Sequence, residues 1–124
     1  LDGVSHPVGY DMCVPDGAAD DAPVGSPPIV LLNGFGVGSF HQHRLMPLLA
    51  RSSGRAVYAV DYLGQGRSWP DGCDDGRSPG ERGLGYSGET WLRQAAAFVE
   101  EVVLPGTAGA TSVHLVGNSV GGHL

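Results

Sequence analysis

Ser119 stands in the run Gly117-Asn118-Ser119-Val120-Gly121-Gly122, which fits the pattern G-x-S-x-G. That spacing suits a serine that works from a nucleophile elbow. Small residues two before and two after it let a strand and the following helix pass closely while the hydroxyl projects. A serine hydroxyl is a weak nucleophile and needs a histidine to take its proton, usually with an acid behind that histidine. Around such an elbow the order is nucleophile, acid, histidine, so both partners are expected beyond residue 124. The local histidines are His123, four residues after the serine on the new helix expected there, and His114, read as buried in the preceding strand or on a sheet face. Packing or surface roles are expected of both.

Attack on a carbonyl also needs donors for the oxygen that becomes negative. The amide of Val120, directly after the nucleophile, is one expected donor. The second is expected from the loop Asn33-Gly34-Phe35-Gly36-Val37-Gly38, where Gly34 permits a sharp turn and Phe35 offers its N–H. The loop's alternate glycines do not make a dinucleotide site, because Ser39 follows and G-x-G-x-x-G is absent. Metal sites are not expected either. His41 and His43 have no third ligand assigned, and Asp71-x-Cys73-x-Asp75-Gly76 begins like a calcium loop but reaches Arg82 where glutamate belongs. Asp61, at a strand end, is expected to orient the turn Asp61-x-x-Gly64-x-Gly66 rather than to move protons.

Composition narrows the remaining classes. A net charge of −6 gives no electrostatic case for nucleic acid or an anionic membrane surface. No apolar run approaches the ~20 residues that span a bilayer. Cys13 and Cys73 form neither a C-x-x-C motif nor a disulfide framework, and free thiols are the simpler expectation. The 21 glycines cluster in turns between apolar runs, with no fibrous period.

The elements that must position Ser119 follow from patterning. Residues 1–27 are irregular, broken by prolines, with a frayed edge strand near Val4–Val14. Ile29–Leu32 is apolar throughout, as a buried parallel strand is, and Ala56–Val60 is the next strand. A short helix is expected near Arg44–Ser52, with Leu45, Leu48 and Leu49 inward and Pro47 in its first turn. Residues 67–86 form an excursion without period. Ser87 caps a helix running to Val103, with Glu89 in the first turn and an apolar face of Trp91, Ala95, Phe98 and Val102. Val113–Val116 is the strand that feeds the elbow. Strand–helix–strand–helix–strand argues for an α/β fold with parallel connections. The domain reading is an irregular segment 1–27, then the N-terminal part of an α/β domain over 28–124, interrupted just after its nucleophile.

The ordered set of N-G-F-G, then D-Y-L-G-Q-G-R-S after a strand, then G-N-S-V-G-G resembles the α/β-hydrolase family over roughly residues 28–124. More narrowly, Leu32–His41, Asp61–Gly66 and Tyr86-Ser87…Trp91 resemble the pheophytinase-like plant and algal plastid hydrolases. One departure is Asn33, where the family usually has histidine. The resemblance implies an α/β-hydrolase fold and a serine hydrolase of carboxylic esters, with a small hydrophobic ester as substrate and a chlorophyll-derived phytyl ester within range. It implies a chloroplast setting, the cytoplasm being the alternative, and neither a cofactor nor a bound metal. A non-catalytic binding protein on the same scaffold is the competing reading, distinguished by a missing downstream histidine.

Overall fold

The computed structural model describes residues 5–16, 24–72, 81 and 84–124. Two central strands carry the architecture: β2 (Ile29–Leu32) and β3 (Val57–Val60), every residue of each buried. They pair in parallel, Ile29 opposite Val57. β4 (His114–Gly117) joins the other edge of β2, also parallel, with Leu32 opposite Gly117. β1 (Tyr10–Cys13) joins β3 in the antiparallel sense, so the sheet order is β1-β3-β2-β4. The three strands expected to be parallel are so. The irregular N-terminal segment contributes the frayed strand as an antiparallel edge, and the sheet is therefore mixed.

Strand side chains alternate between faces, and each face has its own cover. Ile29, Leu31, Val57 and Ala59 pack with Met46 and Ala50 of α1 (Leu45–Ser53). Val30, Leu32, Tyr58 and Val60 pack with Trp91, Ala95 and Phe98 of α2 (Gly88–Phe98) and with Val103 beyond it. A sheet buried on both sides is what continuous apolar strands demand.

The inward face of α1 differs from expectation. Met46 and Ala50 are buried, Leu49 is half-buried, and Leu45 and Leu48 are exposed. The helix is turned so that small Ala50 meets the sheet, allowing close approach. Pro47 does lie in the first turn, and Gly54 ends the helix with a φ of 66°.

In α2 the cap forms as read: the Thr90 N–H donates to Ser87 Oγ at 3.3 Å. Glu89 and Arg93 make an exposed i,i+4 ion pair. The helix then loosens into a π-turn over Val99–Val103. A π-turn adds a residue per turn, so the apolar stripe steps from Phe98 to Val103, which is fully buried, rather than to Val102, which is half-buried.

β4 is exposed along its whole length, Leu115 at 59% and Val116 at 47%. His114 is therefore exposed, not buried, because no described element lies outside this edge strand. Cys13 is a half-buried free thiol. Cys73, Asp75, Gly76 and Arg82, and with them the calcium-loop reading, fall outside the described residues. No described helix is long and apolar enough to cross a membrane.

Candidate active site

Neighbouring parallel strands β2 and β4 send the chain to opposite faces of the sheet. After β2 it runs to α1. After β4 the turn Ser119–Gly122 places Val120 and Leu124 against the cluster that α2 covers. A crevice opens at the carboxyl ends of two strands that diverge in this way, and ligands bind there in open α/β sheets. Ser119 lies at the end of β4, and Asn33–Gly38 at the end of β2.

The backbone at Ser119 is unusual. Its φ is 54°, the only positive φ at a non-glycine among the described residues. The flanking glycines explain how the turn closes. A Cβ on Gly117 would stand 2.2 Å from the Gly121 carbonyl oxygen, a separation that real Cβ atoms do not adopt. The Asn118 N–H donates to Leu32 O at 3.1 Å, tying the elbow to β2. The loop after β2 touches the elbow as well, since a Cβ on Gly34 would meet Ser119 Cβ at 3.5 Å. Gly34 and Ser119 are thus neighbours, and Val120 follows the serine directly in the same turn.

Phe35 is 72% exposed, yet its ring lies 6.0 Å from that of Trp91, which in turn stacks on buried Tyr62 at 5.5 Å. Burial pushes the Tyr62 hydroxyl up to about 12, so it stays neutral. Trp91, Leu92, Val120 and Leu124 line a cleft of about 720 Å³ that also contains Ser119 and His123. No hydrogen bond joins Ser119 to His123 among the described residues. His43 turns its Nδ1 to Phe40 O at 2.9 Å, and among the described residues no three His, Cys, Asp or Glu side chains converge.

The loop after β2 is braced by the end of β3. Asn33 is fully buried; its Nδ2 donates to Val60 O at 2.8 Å and its Oδ1 accepts from Gln42 Nε2 at 3.0 Å. The Gly36 N–H donates to Gln65 Oε1, and the Ser39 N–H to Asp61 Oδ1. Asn33 therefore serves as an amide anchor in the position where the resemblance leads one to expect histidine.

Asp61 is 1% exposed and holds its turn together, as expected. Its Oδ2 accepts from the Arg67 backbone N–H at 2.9 Å and from Arg67 Nε at 3.1 Å. Gly66, at φ 55°, presses against the carboxylate so closely that a Cβ would lie 2.5 Å from Asp61 Cγ. Burial raises the Asp61 carboxyl pKa, but hydrogen bonds from Ser39 and Arg67 outweigh it and leave the group below the ordinary value of 3.8. Arg67 also reaches Asp11 Oδ1 at 3.1 Å, while Ser39 Oγ donates to Asp11 Oδ2 at 2.6 Å. Sequence reading gave the N-terminal segment no such part. Nor did it single out Gln94, which fixes α2 to this turn: Nε2 donates to Asp61 O at 2.9 Å and Oε1 accepts from the Leu63 N–H at 2.8 Å.

Comparison with known proteins agrees with this architecture. The profile of the alpha/beta hydrolase family (Abhydrolase_6) matches residues 29–124. A chloroplastic pheophytinase of Arabidopsis thaliana is 33% identical over 119 residues, covering 80% of this chain and 23% of that protein. A proline iminopeptidase of Lactobacillus helveticus is 33% identical over 99 residues, covering 79% of this chain and 29% of its own length. The chain thus spans less than a third of either curated relative. Among solved structures, Est1E of Butyrivibrio proteoclasticus with bound ferulic acid superposes with a TM-score of 0.62 at 21% identity, over 93% of this chain and 40% of Est1E, a likeness of fold.

Proposed function

The chain belongs to the alpha/beta hydrolase family, and from that membership we propose that its full-length protein is a serine hydrolase of carboxylic esters with Ser119 as nucleophile. The observation that carries the reading is the left-handed backbone of Ser119 between two tightly apposed glycines, with Gly34 against it. Ser119 Oγ attacks the ester carbonyl while a histidine later in the chain takes its proton. The Phe35 and Val120 amides hold the oxyanion. The tetrahedral adduct collapses, the histidinium protonates the departing alcohol, and an acyl-serine is left. Water, deprotonated by the same histidine, then releases the acid and restores Ser119. An acid positioned behind the histidine completes the set, in the chain order this elbow uses.

The substrate reading is a hydrophobic ester, with chlorophyll-derived phytyl esters as the first class to assay and the plastid as the setting. The apolar side chains of Trp91, Leu92, Val120 and Leu124 around the cleft support it, as does the similarity to a chloroplastic pheophytinase. The test is to treat the folded full-length protein with a serine-reactive phosphonate and map the adduct by mass spectrometry. Modification at Ser119, and none in Ser119→Ala, is expected. A folded protein that stays unlabelled at Ser119 overturns the assignment in favour of a binding role. Residues 1–124 expressed alone should show no Ser119-dependent turnover of a short activated ester, because they supply no assigned base.

A further inference from the structure

Gln65 carries a task that the nucleophile and the amide donors do not explain. Its side chain is buried, its Oε1 accepts the Gly36 N–H, and among the described residues its Nε2 has no hydrogen-bond partner. Its backbone is held twice: the Gln65 N–H donates to Tyr62 O at 2.9 Å, and Gln65 O accepts from the Ser68 N–H at 3.0 Å. The turn it sits on is clamped by the Arg67–Asp61 pair. A rigid turn therefore delivers a single acceptor to the middle of the loop after β2. Asn33 and the Ser39 N–H pin the two ends of that loop, and neither reaches the peptide that follows Phe35. Gly36 has a φ of 80° and open space where a Cβ would stand, so packing does not hold it.

We infer that Gln65 is a positioning residue for the oxyanion loop, setting the Phe35–Gly36 peptide and through it the direction of the Phe35 N–H. The inference rests on the hydrolase reading above. With Oε1 engaged and no partner for Nε2 among the described residues, the Nε2 protons suit an acceptor that arrives with substrate or water, since a buried amide donor left unpaired is costly. Misplacement of about 1 Å in such a group costs on the order of 100-fold in rate.

The experiment uses the full-length protein and compares Gln65→Leu, which removes acceptor and donor, with Gln65→Glu, which keeps an acceptor in the same place. Three quantities are read: kcat and KM for an activated acyl ester, affinity for a trifluoromethyl ketone that forms an oxyanion on the serine, and thermal midpoint. Gln65→Leu should lose roughly 10- to 100-fold in kcat and in ketone affinity together, with KM within about 3-fold. Gln65→Glu, assayed at a pH where the glutamate accepts the Gly36 N–H, should recover most of the loss. A folded Gln65→Leu with unchanged kcat and ketone affinity overturns the inference, as does a loss that Glu fails to rescue. If the parent protein itself is inactive and unlabelled at Ser119, it is the hydrolase reading that fails.

Discussion

Gly121 and Leu32 meet backbone to backbone: a Cβ on Gly121 would stand 2.2 Å from the Leu32 carbonyl oxygen and 2.7 Å from that of Asn33. The turn that carries Ser119 can lie across the end of β2 only while residue 121 has no side chain. Gly121→Ala is expected to destabilise the full-length protein by about 3 kcal/mol, or to prevent its folding, through overpacking against backbone that cannot give way. Urea unfolding of the two proteins side by side measures this. A change below about 1 kcal/mol would mean that the elbow does not pack as described.

Ser119 holds a backbone shape that costs a non-glycine residue about 1–2 kcal/mol. Ser119→Gly should therefore stabilise the protein by about 1 kcal/mol while abolishing ester turnover. Ser119→Ala keeps the side-chain carbon and should abolish turnover without that gain. Thermal unfolding of the three proteins, with turnover in parallel, separates strain from chemistry.

Asp61 and Arg67 predict a pH dependence. The folded-state pKa of Asp61 is depressed, so the unfolded chain binds the proton more tightly. Its stabilisation is complete above the ordinary value near 3.8 and is lost as pH falls through the lower folded value. Asp61→Asn should cost about 2–3 kcal/mol at neutral pH, the scale of charge-assisted hydrogen bonds. It should also flatten the stability profile on the acid side of pH 4. Denaturant midpoints from pH 3 to pH 7 test both features.

The π-turn after α2 makes adjacent valines unequal. Val103 is fully buried and Val102 is not. Val103→Ala should cost about 2 kcal/mol and Val102→Ala about half that or less. Equal losses would contradict the shifted register.

The sequence carried the centre of the fold in plain form. Ile29–Leu32 and Val57–Val60 have no polar position, which leaves a two-sided parallel strand as the simplest reading, and Ser87 caps its helix as its type suggests. The elbow was equally legible, because close backbone passage restricts residues 117 and 121 to glycine.

What sequence did not decide depended on choices between chemically equivalent faces. Leu45, Leu48 and Leu49 form one apolar stripe on α1, and Met46 with Ala50 another; proximity to the sheet selects the smaller one. Val102 and Val103 differ only in register, which the π-turn sets. His114 shows the same dependence: burial of an edge strand is a property of what lies beside it. Asp11 and Asp61 are brought around one guanidinium by antiparallel pairing of β1 with β3, a contact that spacing along the chain does not encode.

The two tryptophans of this stretch stand in opposite optical environments. Trp69 is 49% exposed and donates its indole N–H to Gly66 O, on the surface of the Asp61 turn. Trp91 is buried, stacked on Tyr62, bonded to Leu63 O, and forms part of the wall around Ser119. An aqueous quencher such as iodide reaches the first and not the second. Within residues 1–124 the emission that survives quenching therefore comes from an indole at the wall of the cleft, a built-in fluorophore for following what enters there.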